Sequence, residues 1–268
     1  MKKKGLIFKC MMYVLIFLLI FPIAVLVLWS FVNIWPWPKV FPDNFGIRGF
    51  KYIFNPLNNS LKILFFSIFL SSVVTFITLL MSIPAAKALG VYKFKGKSFF
   101  KILILAPIIV PPIAVAMGIH FVFIKMGLAN TFIGVVLVHL IPCLPYGIRI
   151  LTNVFEIIGE SMEMQARVLG ASPFQAFIKI TLPLIAPGLI SAATLVFIVS
   201  FSQYFLTFLI GGGQIVTFSM LMFPYIQSGD RMMASSYSII FILSTFGMLL
   251  IMEKLVKFYY RGKNYFYM

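Results

Sequence analysis

The sequence predicts an all-α membrane protein that crosses the bilayer with six helices. The composition is 62% hydrophobic and only 10% charged, whereas soluble domains carry roughly 25% charged residues. A membrane-spanning helix needs ~20 mostly apolar residues, and six stretches of the chain meet this requirement. They cover residues 6–31, 61–83, 102–124, 131–150, 184–210 and 232–252.

The distribution of charge predicts how these helices are oriented. The chain has 22 lysines and arginines against 6 acidic residues, a formal net charge of +16. With the N-terminus in the cytoplasm, most of the basic residues fall on the cytoplasmic side, which is the bias that membrane proteins show. Both termini and residues 160–183 are then cytoplasmic, and residues 33–56 lie outside. A bilayer thus explains a charge that would suggest a nucleic-acid partner in a soluble protein.

The first apolar stretch is expected to remain in the protein as an anchor. Three lysines precede it, as in a signal peptide, but the stretch is too long and no small-residue cleavage site closes it. The Trp-Pro-Trp-Pro run at 35–38 then marks the membrane–water interface, since tryptophan favours that depth and proline ends helices. We divide the chain into an anchor helix with an external segment (1–58), a transmembrane domain (59–258) and a cytoplasmic tail (259–268).

The segment between the fourth and fifth predicted helices is charged and amphipathic. Gly170 can supply a left-handed helix C-cap. Ser172 can then cap a new helix, with Pro173 at its first position. The pattern predicts a short helix, a turn and a second short helix. Such helices are marginal in water, so we expect a partner groove to pack against apolar side chains such as Leu169 and Phe174. A plain connection lying on lipid headgroups is the alternative.

This segment resembles the cytoplasmic loop of bacterial ABC-importer permeases. That family's pattern is Glu-Ala-Ala, three residues, Gly, nine residues, then Ile-x-Leu-Pro. Here Gly170 is followed by nine residues and Ile-Thr-Leu-Pro at 180–183. Ala166 falls on the second alanine of the pattern, whereas Met164 and Gln165 depart from its first two positions. The loop residues that the resemblance implies in coupling to an ATPase are Glu163, Ala166, Leu169, Gly170, Ser172, Pro173, Phe174, Ile180, Leu182 and Pro183.

The resemblance covers about residues 59–250 and implies a set of partners. It implies the type I permease fold of ABC importers in a bacterial inner membrane, paired with a second copy or with a sister permease. It also implies cytoplasmic ATPase subunits, which hold ATP and Mg, and an extracytoplasmic solute-binding protein. The chain has no Walker-type Gly-x-x-x-x-Gly-Lys-Ser/Thr motif and no catalytic motif. We therefore expect a transport subunit without its own ATPase site, cofactor or metal.

The sequence does not determine which substrate is transported. The Trp-Pro segment resembles the spermidine/putrescine-type branch more loosely, which implies a polyamine. The predicted outer side, however, has more basic than acidic residues, so a phosphonate, another oxyanion or a thiamine-like solute stays open. A different class, an ion-coupled secondary transporter, would need mid-membrane carboxylates or inverted repeats, and the sequence has neither.

Four polar residues in the fifth predicted helix are candidates for the translocation pathway. Ser200, Gln203, Tyr204 and Thr207 recur at the spacing of one helix face. Such a face can line a polar route. The alternative is helix–helix packing, in which small and hydroxyl-bearing residues are enriched. For His139, which lies in the fourth predicted helix without a neighbouring acid, we expect a structural role.

Overall fold

A computed structural model of the chain describes residues 2–35, 39 and 42–260. The chain forms two compact units. The first consists of Met1–Ile63 with Met220–Ser244, and the second of Leu64–Ser219 with Thr245–Met268. The predicted boundaries at residues 58 and 259 stay predictions, and most of the predicted tail lies outside the described residues.

The first unit begins with α1 (Lys2–Ser30) and continues into a short antiparallel pair, β1 (Val32–Ile34) and β2 (Asn44–Phe45). Val32 pairs with Phe45 and Ile34 with Asn44, a short strand pair within an otherwise helical fold, as the sequence predicts. Of the Trp-Pro run, Trp35 is described and residues 36–38 lie outside the described residues.

The external segment then continues into a short helix and a tight turn. The helix, α2 (Arg48–Phe54), is followed by a 3-10 turn at Pro56–Asn58. Asn55 caps that turn by accepting a hydrogen bond from Leu57 N–H at 3.1 Å. The first unit also contains most of α11 (Phe218–Ser228) and the start of α12 (Arg231–Tyr260).

The second unit is built almost entirely from helices. Helices α6 (Phe132–Ile158) and α9 (Leu182–Phe201) pack along each other at its centre. Buried side chains from these two helices and from α3 (Ser60–Val91), such as Val74, Val138 and Val196, form its core. The elements are α3 (Ser60–Val91), α4 (Lys97–Ile109), α5 (Pro112–Lys125), α6 (Phe132–Ile158), α7 (Ser161–Val168), α8 (Pro173–Ala176), a π-helical turn (Phe177–Thr181), α9 (Leu182–Phe201) and α10 (Phe205–Gly211).

Five helices of the described residues are long and apolar enough to cross a membrane. They are Phe8–Ser30, Ser60–Val91, Phe132–Ile158, Pro173–Phe201 and Arg231–Leu255. They correspond to five of the six predicted spans, and the remaining one, 102–124, is divided between α4 and α5.

The division of the third predicted span has a local cause. Val110 is extended, with φ −74° and ψ 133°, because a residue that precedes proline is disfavoured in the helical region. Pro111 is itself followed by Pro112 and is also extended. Two successive prolines therefore end α4 and start α5, and the prediction of one continuous helix over 102–124 is wrong.

Candidate functional site

The loop between α6 and α9 begins with α7 and a closed turn. Gly170 N–H donates to Arg167 O at 3.1 Å, and Ala171 N–H donates to Ala166 O at 3.0 Å. This pair of bonds is the Schellman motif that closes many helices. Gly170 has a φ of +92°, a left-handed conformation that glycine adopts without steric cost. The predicted C-cap at Gly170 is confirmed.

The second half of the loop is fixed by a capping box at the start of α8. Ser172 Oγ accepts a hydrogen bond from Gln175 N–H at 3.2 Å, and Ser172 N–H donates to Gln175 Oε1 at 3.1 Å. Pro173 takes the first helical position. The predicted cap and first-turn proline are confirmed. Because the box satisfies two backbone donors at once, a helix of four residues keeps its shape on an exposed surface.

Large apolar side chains project from both sides of this turn. Val168 and Leu169 are each 87% exposed, and Phe174 is 74% exposed. We call these three residues the loop surface. Clustered exposed apolar side chains mark interaction sites more often than scattered ones do. Helix α7 and the turn up to Ser172 belong to none of the membrane-length helices.

The residues that match the family pattern are mostly turned toward the protein. Ala166, Ile180 and Leu182 are half-buried, and Pro183 is buried. The predicted set therefore divides in two: these residues and Glu163 anchor the loop, whereas Leu169, Gly170, Ser172, Pro173 and Phe174 face outward. A role of any of them in coupling stays a prediction.

Glu163 holds the loop to the helical bundle of the second unit. Lys87 Nζ, on α3, lies 2.7 Å from Glu163 Oε1 and 2.8 Å from Oε2. Thr181 Oγ1, at the end of the π-helical turn, donates to Glu163 Oε2 at 2.6 Å. One carboxylate thus ties α7 both to α3 and to the start of α9. Lys87 could not be predicted as the partner of Glu163 from the sequence, since nothing local relates residues 76 positions apart.

The charge state of Glu163 follows from these contacts. Partial burial alone would raise the pKa of the Glu163 carboxyl. The hydrogen bonds from Lys87 and Thr181 and the positive charges of Lys87 and Arg167 outweigh that effect, so the pKa lies below its ordinary value. Glu163 is therefore ionised at neutral pH, with both oxygens bound within its own chain.

The four candidate pathway residues do not lie on one helix face. Helix α9 ends at Phe201 and α10 begins at Phe205, which corrects the prediction of a continuous helix over 184–210. Ser200 and Thr207 are buried, whereas Gln203 and Tyr204, in the break between the helices, are half-buried. Their role in a pathway stays a prediction.

His139, on α6, joins the two sides of this break. Its Nδ1 lies 3.0 Å from Ser200 Oγ and its Nε2 lies 2.8 Å from Thr207 Oγ1. Thr207 Oγ1 also donates to Gln203 O at 2.8 Å, and Ser219 Oγ donates to the same carbonyl at 3.1 Å. Hydroxyl groups thus satisfy a backbone oxygen that a continuous helix would have bonded, as non-helical backbone at membrane depth requires. Both ring nitrogens of the buried His139 are thus hydrogen-bonded within the chain, as expected of a structural histidine.

Replacing Gln203 by alanine is expected to change the affinity for solute while leaving the amount of protein in the membrane unchanged. The backbone bonds of Gln203 survive the change, so only the amide side chain in the break is lost. The loss of one hydrogen bond, worth about 1 kcal/mol, predicts a roughly fivefold rise in the KM of uptake. Ser191→Ala on the exposed side of α9 is the control. An unaltered KM for every solute transported would mean that Gln203 only packs.

Residues 79–264 match the family described as binding-protein-dependent transport system inner membrane component. This chain belongs to that family. Among its relatives, the trehalose/maltose transport system permease protein MalG of Thermococcus litoralis is 34% identical over 139 residues, which are 52% of this chain and 50% of MalG. The putrescine transport system permease protein PotI of Escherichia coli K12 is 27% identical over 143 residues, 51% of each chain. The chain thus spans about half the length of the relatives it matches.

A solved structure shares the permease fold. It is the crystal structure of a bacterial ABC transporter involved in the import of the acidic polysaccharide alginate, and one of its chains aligns with a TM-score of 0.72. The alignment covers 94% of this chain and 96% of that chain, at 17% identity. The predicted fold class, the type I permease fold of ABC importers, is confirmed, although the spans differ as described above.

Proposed function

We propose that this chain is the membrane permease subunit of an ATP-driven importer for a small hydrophilic solute. It supplies part of the translocation pathway and the loop that couples it to hydrolysis. Cytoplasmic ATPase subunits hold ATP and Mg, a second permease completes the membrane unit, and an extracytoplasmic binding protein delivers the solute. The family match over residues 79–264 and the shared fold support this proposal.

The observation that carries the coupling role is the loop surface on a capped, anchored turn. Three large apolar side chains are exposed at the end of a rigid turn, and burial against a partner would stabilise them. The Glu163 carboxylate connects the same turn to α3 and α9. A force applied to the loop surface by a closing ATPase would therefore reach both helices directly.

The orientation belongs to the same proposal. We place the loop and both termini in the cytoplasm, because most lysines and arginines then lie on the cytoplasmic side. In this orientation the loop surface faces the compartment that contains ATP.

Replacing Leu169 by aspartate tests the coupling role. A charge in the centre of an apolar interface loses the contact and adds a desolvation cost, so association with the ATPase subunit is expected to weaken about tenfold. The measurements are the ATPase-to-permease ratio after purification of the complex and the rate of solute uptake. Leu57→Asp is the matched control, since Leu57 is 85% exposed, like Leu169 at 87%, but lies before α3.

The two leucine variants separate the possible outcomes. Loss of the ATPase and of uptake in Leu169→Asp, with both retained in Leu57→Asp, supports docking through the loop surface. Wild-type association and uptake in Leu169→Asp would reject it, and the loop would then be a plain connection.

We propose a neutral sugar or a polyamine as the substrate, and the paired acidic residues of the first unit favour the sugar. The acidic residues of the first unit are Asp43 and Asp230, and both are paired, with Lys39 and Arg48. A polyamine would need free carboxylates to compensate its charges, whereas a sugar needs hydrogen-bonding groups. MalG is also more similar in sequence to this chain than PotI is. Uptake measured with trehalose and with putrescine distinguishes a sugar from a polyamine as the substrate.

A further inference from the structure

Two cavities of the first unit share lining residues at the end of α1. One, the polar cavity of about 590 Å³, is lined by polar groups of Asn33, Lys39, Arg48 and Asp230 together with apolar side chains such as Val32 and Met232. The other, of about 390 Å³, runs along apolar side chains such as Val25, Leu26 and Ile226. Trp29, Gly229 and Arg231 line both cavities, so a single ligand with a polar head and an apolar tail can occupy them together.

The shared residues lie at the boundary of the membrane. Trp29 is next to the last residue of the membrane-length helix Phe8–Ser30, and Arg231 is the first residue of the membrane-length helix Arg231–Leu255. The apolar cavity borders the helical turn before Trp29 and the helical turn after Arg231. Tryptophan rings concentrate at the headgroup level of bilayers. The polar cavity is therefore at the depth of lipid headgroups and the apolar cavity at the depth of acyl chains.

Arg231 supplies positive charge at that boundary. The other two cations that line the polar cavity already have partners: Arg48 donates to Asp230 at 2.7 and 3.0 Å, and Lys39 pairs with Asp43. The Arg231 guanidinium lies 4.3 Å from the centre of the Trp29 ring, and it forms no ion pair with any other described residue. A guanidinium held on a ring keeps its N–H groups free to bind a phosphate bidentately.

We propose that this site binds an anionic phospholipid. The phosphodiester lies on Arg231 in the polar cavity, and one acyl chain follows the groove past Leu26 and Ile226. Because Lys39 and Arg48 are paired with Asp43 and Asp230, the uncompensated charge of the lining is the positive charge of Arg231, which favours a lipid with net negative charge over a zwitterionic one. A bound lipid would connect α1 with the start of α12. The site does not depend on which solute the permease imports.

Tryptophan fluorescence can test this proposal in the full chain reconstituted into bilayers. The three tryptophans of the chain are Trp29, Trp35 and Trp37, and the first two line the polar cavity. Quenching by brominated phosphatidylglycerol is compared with quenching by brominated phosphatidylcholine at equal mole fraction. The wild type is expected to prefer phosphatidylglycerol, and Arg231→Gln is expected to lower that preference about fivefold.

Two further variants make the result specific. Arg231→Lys keeps the charge but loses the bidentate geometry, so it should retain more of the preference than Arg231→Gln and less than the wild type. Lys125→Gln removes another cation that lies on a ring, at 4.4 Å from the centre of Phe121, and should leave the preference unchanged. Equal preference in the wild type and Arg231→Gln would overturn the proposal. Absence of quenching by either lipid would overturn it as well, since a protein surface would then cover the groove.

Discussion

Replacing Gly170 by aspartate is expected to abolish solute uptake while the chain still inserts into the membrane. The φ of +92° at Gly170 costs a residue with a Cβ ~1 kcal/mol, which strains the turn without unfolding the spans. Apart from its chain neighbours, a Cβ at this position would have no atom of the described residues within 4 Å, so the added Cβ causes no internal clash. It would instead point from the turn beside Leu169, where the proposed ATPase groove lies. Uptake, ATPase activity and subunit ratio of the purified complex measure the effect.

Gly127→Asp provides a control with the same backbone cost. Gly127 also has a positive φ, +68°, and a Cβ added there would have no atom of the described residues within 4 Å apart from its chain neighbours. This glycine follows α5, however, and is remote in sequence from the loop. Strain alone predicts the same behaviour for both variants, whereas docking predicts that only Gly170→Asp loses uptake. Normal uptake with a normal subunit ratio in Gly170→Asp would contradict the docking role of the loop.

Breaking the Lys87–Glu163 ion pair is expected to have the second-largest effect. The two side chains are only 20% and 15% exposed, so Glu163→Gln leaves a largely buried ammonium without its carboxylate. The expected loss of stability is about 2 kcal/mol, between the values for exposed and for buried pairs. Because Thr181 shares the carboxylate, the loop should loosen from α9 as well, and uptake should fall more than the amount of folded protein does.

A double-mutant cycle with Lys87→Met isolates the interaction between the two residues. The double variant should be more stable than Glu163→Gln alone, because no unpaired charge remains. The exposed pair Lys101–Glu156, at 2.5 Å and 40% and 41% exposed, is the control, and its disruption should cost under about 1 kcal/mol. Equal costs for the two pairs would contradict the anchoring role of Glu163.

The pH dependence of stability gives an independent check on Glu163. The pKa of this carboxyl is lower in the folded protein than its ordinary value. The stabilisation that the ionised carboxylate provides is therefore fully present when the pH is above the ordinary pKa. The contribution is then lost as the pH falls through the lower folded value. The stability of the wild type, measured by thermal unfolding, should therefore fall more in acid than that of Glu163→Gln. At neutral pH the difference in stability between the two proteins should be greatest.

Much of the loop could be predicted from the sequence, because the bonds that shape it are local. The Schellman bonds at Gly170 and the capping box at Ser172 join residues at most five positions apart. The residue types that favour each conformation can therefore be recognised in the amino-acid sequence itself. The same holds for most membrane-length helices, whose apolar residues are consecutive. The break at Pro111 also has a local cause, but a count of apolar residues does not register it.

Only the tertiary structure decided the break at Phe201 and the anchor of the loop. No proline or glycine marks the interruption between α9 and α10. It is stabilised by His139, whose partners lie 61 and 68 positions away, and by Ser219. Lys87 reaches Glu163 across 76 positions. A backbone group freed from a helix, or a charge removed from water, is stable only beside a matching polar group, and which group that is depends on how the helices pack.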